Sequence, residues 1–176
     1  KHQQGITPAD SSPAVAGGVV YFGSLGNHVY AVDVKSGQEK WRFRTDGGVF
    51  SSPLVADGVA YVGSWDWNVY AVDVATGQEK WRFQTGDEVW SSPATDGETI
   101  FIGSDDGRLY ALDLETGEER WNFEVAAAVT SAPVIDQDTV YFGSFDTYLY
   151  ALDRSTGEFK WRFRTDDSIL SSPAIL

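Results

Sequence analysis

The chain has no cysteine, no methionine and only two histidines among its 176 residues. Without cysteine there are no disulfides and no thiolate metal ligands. His2 and His28 stand alone, so neither a histidine-based metal site nor a Ser-His-Asp arrangement can be assembled from the pattern. Position 1 is not methionine either, which a processed or trimmed chain shows. A removed secretion signal or a cut leaves that mark equally, and the expected location is extracytoplasmic: periplasmic, cell-surface or secreted. No apolar run is long enough to cross a bilayer as a helix. Bases are scarce, 13 against 26 acids, giving a net charge of −13. Such a surface repels nucleic-acid phosphates and anionic lipid heads. Aspartate dominates the acids and arginine outnumbers lysine eight to five, a profile shared by salt-adapted and by ordinary exported proteins.

Aromatics and glycine are plentiful instead: 14% of residues are aromatic and 18 are glycine. Both favour strands and tight turns, and no helical period is present. The dominant feature is internal repetition. AVDVKSGQEKWRF at 31–43 returns as AVDVATGQEKWRF at 71–83, ALDLETGEERWNF at 111–123 and ALDRSTGEFKWRF at 151–163. Aligned on the opening serine, the units are 11–50, 51–90, 91–130 and 131–170, and the first two agree at 25 of 40 positions. SSPAIL at 171–176 starts a fifth unit, and 1–10 is an N-terminal extension without the Trp-x-Phe pattern of an outer strand.

Each unit reads as four short strands. In the first they are SSPAV at 11–15, VVYFGS at 19–24, HVYAVDV at 28–34 and KWRFRT at 40–45, separated by the turns AGG, LGN and KSG. The fourth alternates cleanly, Trp41 and Phe43 on one face and Lys40, Arg42 and Arg44 on the other. Tandem four-stranded units near forty residues predict an all-β propeller of antiparallel blades. Nine of the thirteen bases lie on the fourth strands, where charge protects an outer edge against pairing with another molecule.

The repeated frame A-x-D-x-x-[ST]-G-x-x-x-W resembles the PQQ-like repeat, or quinoprotein tryptophan-docking motif. It stands as Ala31, Asp33, Ser36, Gly37, Trp41; Ala71, Asp73, Thr76, Gly77, Trp81; Ala111, Asp113, Thr116, Gly117, Trp121; and Ala151, Asp153, Thr156, Gly157, Trp161. The likeness covers 11–170, and no unit ends in the Trp-Asp of the rival WD40 repeat. It implies that each tryptophan docks on the neighbouring blade. Residue chemistry agrees: glycine supplies a positive φ, and the aspartate and hydroxyl bond backbone N–H groups in the turn. Tyr30, Tyr70, Tyr110, Tyr150 and the four Gly-Ser pairs are structural by the same logic of repetition. Rings of this repeat usually close with seven or eight blades. Three arrangements are therefore open: a closed four-bladed ring, two chains joined head to tail into eight blades as a homodimer, or part of a longer array.

Specificity belongs where the copies differ. LGNH, WDWN, DDGR and FDTY (25–28, 65–68, 105–108, 145–148) and the blade links 46–50, 86–90, 126–130 and 166–170 are expected on one face. That face gathers nine acids and several aromatics. Trp65, Trp67, Trp90, Phe145, Tyr148, Asp66, Asp105 and Asp106 are the candidates for binding a protein or peptide, preferably a basic one. Phe50, Trp90 and Leu170, one per blade, equally suit a plug of the central channel. DDG at 105–107 and DQD at 136–138 lack the spacing and oxygen count of a calcium loop. The resemblance also suggests an enzyme, a fragment of a quinoprotein dehydrogenase holding pyrroloquinoline quinone with calcium. The chain has neither the cysteine pair that clamps the quinone in alcohol dehydrogenases of that group nor an insertion to supply ligands. The expectation is thus a scaffold with no catalytic residue, cofactor or metal. A trimmed or engineered array with no activity of its own is the third reading.

Overall fold

The computed structural model describes residues 11–175; the extension 1–10, with His2, and Leu176 lie outside the described residues. Sixteen strands form four antiparallel sheets of four. Blade I comprises β1 (Ala14–Ala16), β2 (Val19–Ser24), β3 (His28–Asp33) and β4 (Glu39–Arg44). Blade II comprises β5 (Leu54–Ala56), β6 (Val59–Gly63), β7 (Asn68–Asp73) and β8 (Glu79–Gln84). Blade III comprises β9 (Ala94–Thr95), β10 (Thr99–Ser104), β11 (Arg108–Asp113) and β12 (Glu119–Glu124). Blade IV comprises β13 (Val134–Asp136), β14 (Thr139–Gly143), β15 (Tyr148–Asp153) and β16 (Phe159–Arg164). The first strand is shorter than the sequence predicts. Pro13 has no N–H to donate, and the Ser12 N–H is already spent on Ser52 Oγ of the next blade at 2.7 Å. β3 stops at Asp33 because that residue caps the turn that follows.

One transverse row explains the alanine of the motif. Ala31 lies between Tyr21 on β2 and Trp41 on β4 as cross-strand partner of both. A methyl between two large rings lets them meet above it, with centroids 5.8 Å apart. The row recurs as Tyr61–Ala71–Trp81, Phe101–Ala111–Trp121 and Tyr141–Ala151–Trp161. Directly after each alanine the register shifts by a bulge, which twists the outer strand and swings its tryptophan toward the next blade.

Three joints between blades follow one design. The turn after β3 is tied by Asp33 Oδ1, which accepts from the Lys35 and Ser36 N–H groups and from the Ser36 hydroxyl. Asp73, Asp113 and Asp153 do the same in their blades. The glycine that ends the turn has φ near +70° and becomes the floor on which the preceding blade's indole lies. A Cβ on Gly77 would stand 2.8 Å from Trp41, on Gly117 2.5 Å from Trp81, and on Gly157 2.7 Å from Trp121. The indole N–H groups of Trp41, Trp81 and Trp121 then donate to the carbonyls of Val74, Leu114 and Arg154, each 33 residues on, at 2.8, 3.2 and 3.2 Å. The edge-on pairs Phe43–Tyr70 and Phe83–Tyr110 and the tilted pair Phe123–Tyr150 pack beside them. The cores therefore lie between blades: β6 and β10 are buried along their whole length.

The fourth copy of the joint is not made among the described residues, whose four blades do not close into a ring. Among the described residues no hydrogen bond or ion pair links blade IV to blade I. Trp161, expected to dock like its equivalents, is 44% exposed where Trp81 is 9% exposed. No atom of the described residues lies within 4 Å of the Gly37 Cβ position, so no indole occupies its seat. All six residues of β16 are exposed.

Candidate loop-face site

The loops between second and third strands and the blade links do emerge together, and backbone bonds stitch them. Trp65 N–H donates to Gly48 O, Asp105 N–H to Glu88 O and Phe145 N–H to Ala128 O. The Gly-Ser serines contribute as well: the hydroxyls of Ser64, Ser104 and Ser144 donate to the link carbonyls of Gly47, Asp87 and Ala127. Asp66, a candidate for partner binding, belongs to this framework. Its Oδ2 accepts the Asp46 N–H of the preceding link at 2.8 Å and the Tyr70 hydroxyl at 2.8 Å. Asp106 does the same with Gly86 N–H and Tyr110, and Asp146 with Ala126 N–H and Tyr150. Sequence reasoning missed this role. The signal was Asp-x-x-x-Tyr in three of four repeats, inside loops whose other residues vary.

Phe50, Trp65 and Trp90, from two links and one loop, form a compact stack. Phe50 lies 4.3 Å from Trp65 with planes 18° apart, Trp65 4.6 Å from Trp90, and Phe50 4.9 Å from Trp90. Gly48 permits it, since its Cβ would stand 3.1 Å from the Trp65 ring. All three rings keep part of their surface in solvent. The equivalent positions in blades III and IV are Asp105 with Thr130 and Phe145 with Leu170, so the stack has no copy there. Trp67, beside it, is 45% exposed and adopts φ +71°, a left-handed turn position that a bulky residue seldom takes. Phe145 is exposed, as is Leu170, which plugs nothing within the single chain. Tyr148 is drawn outward, under the Arg162 guanidinium at 4.2 Å, and is not part of the stack.

Acids border the stack on one side. Trp90 donates its indole N–H to Glu88 at 2.9 Å. Asp105 is half-buried, and one carboxylate oxygen has no partner among the described residues. Burial, then repulsion from Asp87, Glu88 and Asp106, pushes its pKa up to about 6. Trp65 Nε1 is likewise buried without an acceptor. Chemically, the arrangement offers an apolar platform, an unsatisfied donor and a compressed negative rim. The three rings close on one another, and among the described residues no three His, Asp or Glu side chains form a cluster.

Four antiparallel blades joined by an indole seated on a turn glycine define a tryptophan-docked propeller repeat. The chain belongs to the family described as outer membrane protein assembly factor BamB, whose model matches residues 2–90 and again 68–175. No curated protein matches it in sequence. Among solved structures it is similar to BamB from Moraxella catarrhalis (21% identity, TM-score 0.80, 89% of this chain and 52% of that one). It also resembles the computationally designed Ika8 protein (18%, 0.82, 90% and 50%). A third likeness is to the quinohemoprotein alcohol dehydrogenase of Comamonas testosteroni (20%, 0.77, 90% and 35%). The chain thus spans about half the length of the first two and about a third of the dehydrogenase.

Proposed function

We propose that the chain is a non-catalytic scaffold that captures a protein or peptide partner on its loop face, in an extracytoplasmic compartment. The observation that carries this reading is the Phe50–Trp65–Trp90 stack, built once on a frame otherwise repeated four times, with exposed Trp67 at its side. Partly exposed aromatics held rigid by a sheet framework are the side chains that anchor interfaces. Asp87, Glu88 and Asp105 beside them favour a lysine- or arginine-rich segment. Membership in a family described as an assembly factor supports a protein partner over a small substrate.

Peptides of matched length but graded charge, titrated while tryptophan fluorescence is followed, test the reading. The basic, aromatic-containing members should bind, and the Trp65→Ala/Trp67→Ala variant should bind at least about tenfold more weakly with its thermal midpoint nearly retained. Equal binding by variant and parent rejects the site. Saturable, stoichiometric binding of pyrroloquinoline quinone with calcium would reject the scaffold reading itself.

A further inference from the structure

Each joint has a donor face and an acceptor face, and among the described residues one of each is unused. Blade IV presents the donor: Trp161 and Phe163, 44% and 62% exposed, with the link 166–170. Blade I presents the acceptor: the Gly37 seat, empty of any described residue, the Val34 carbonyl and the Ser24 hydroxyl, which have no indole and no link carbonyl as partners among the described residues, and Tyr30. We propose that these two faces dock on each other between two copies of the chain, head to tail, closing a ring of eight blades through two identical joints.

The in-chain joints specify the contacts. Trp161 would lie on the partner copy's Gly37 and donate to the Val34 carbonyl, as Trp41 does to Gly77 and Val74. Phe163 would meet Tyr30, as Phe43 meets Tyr70. Ser24 would donate to the 167–168 link, as Ser64 does to 47–48. The curvature suits closure by one more copy. The four blades superpose as a set on about half the length of each of two longer chains, with TM-scores of 0.80 and 0.82, so their mutual arrangement is one that further blades can extend. Charge is also accommodated. The link with two aspartates, Asp166 and Asp167, would face Gly26, the one position of its set that is not a carboxylate.

One segment stands in the way. Ser171–Ile175 lies where the first strand of a following blade belongs: the Ala132 N–H donates to Ser172 Oγ at 3.0 Å, repeating the Ser12–Ser52 bond, and Pro173–Ile175 lie beside Tyr141, Leu149 and Trp161. In the closed ring the partner's β1 needs that seat. β1 has a three-residue ladder to β2, whereas 171–175 pairs with no strand, so the tail yields.

Sedimentation or light scattering of the full chain tests the proposal. The expected species has twice the 19.3 kDa of one copy. Trp161→Ala removes the knob, and Gly37→Asn fills the seat with a residue that tolerates positive φ. Neither touches an in-chain joint, so both should stay folded by circular dichroism while associating at least about tenfold more weakly. Mixing the two variants should restore association in part, because a mixed pair keeps one intact joint. An interface using the same patch on both copies gives no such rescue. A 19.3 kDa parent at all concentrations, variants that pair as well as the parent, or absence of rescue overturns it.

Discussion

A glycine with positive φ ends the turn after the third strand in every blade, yet the four glycines are not equivalent. At Gly117 two constraints coincide. Its φ is +74°, and a methyl would stand 2.5 Å from the buried Trp81 ring, which cannot retreat because its N–H is bonded to Leu114 O. At Gly37 φ is +67° and the space is open. A left-handed backbone costs an L-residue roughly 1–2 kcal/mol, and overpacking a well-filled contact adds about 1–3. Gly117→Ala should therefore lower unfolding free energy by roughly 2–5 kcal/mol, and Gly37→Ala in the unassociated chain by only about 1–2. Urea unfolding of both variants at concentrations where one copy is present checks the contrast. Equal losses would mean that the turn backbone, not the seated indole, makes glycine necessary.

At the scale of the element, turn chemistry links fold to pH. Asp153 is held at about 2 by hydrogen bonds from Ser155, then Thr156, and Asp113 at about 2 by Arg120, then Thr116. Asp33 and Asp73 are lowered by Ser36 and Thr76 respectively. A folded-state pKa below the unfolded value means the ionised carboxylate stabilises the fold. That stabilisation is complete above about pH 4 and is lost as pH falls toward 2. Because every blade carries the same turn, acid should weaken all blades together. A thermal scan from pH 5 to pH 2 should show one cooperative transition falling steeply below about pH 4. In Asp113→Asn the fall should be shallower, since one of the two carboxylates held lowest no longer titrates.

Much of this element was legible beforehand, for physical reasons. Val19–Ser24 was read to the residue because alternation and flanking glycines mark both ends, and the fourth strand to within one position because Trp41 and Phe43 share a face. The bulge after Ala31 was not legible, since nothing in side-chain pattern announces an extra backbone residue. Asp66 and Asp106 were read as rim charges because they lie in variable loops; their bonds reach a residue twenty positions earlier, a separation that local pattern does not convey. The aromatic stack was half legible: Trp65 stood out as unrepeated, whereas Trp90 was read with Phe50 and Leu170 as suiting a channel plug, and the packing of the three rings depends on how three loops converge. The open Gly37 seat was legible only as one of three arrangements, because its motif is identical to those that are filled.

For the whole molecule, the net charge of −13 gives the two proposed associations opposite responses to salt. Two copies closing a ring bring together a total of −26, and the joint itself is made of indole, phenyl and backbone groups with no compensating cation. Raising ionic strength from about 0.01 M to about 1 M shrinks the Debye length from roughly 30 Å to roughly 3 Å. That removes long-range repulsion while leaving apolar contact intact, so self-association should tighten. Capture of a basic peptide on the loop face relies on attraction from Asp87, Glu88 and Asp105, and the same change should weaken it and slow its on-rate. Measuring both equilibria across one salt series separates them. If peptide binding does not weaken, the acidic rim contributes nothing and the platform alone recognises the partner. If self-association loosens instead, the contact between copies runs through ionic groups such as the exposed Lys35 and Arg164, and a joint built on Trp161 and Gly37 is the wrong description of it.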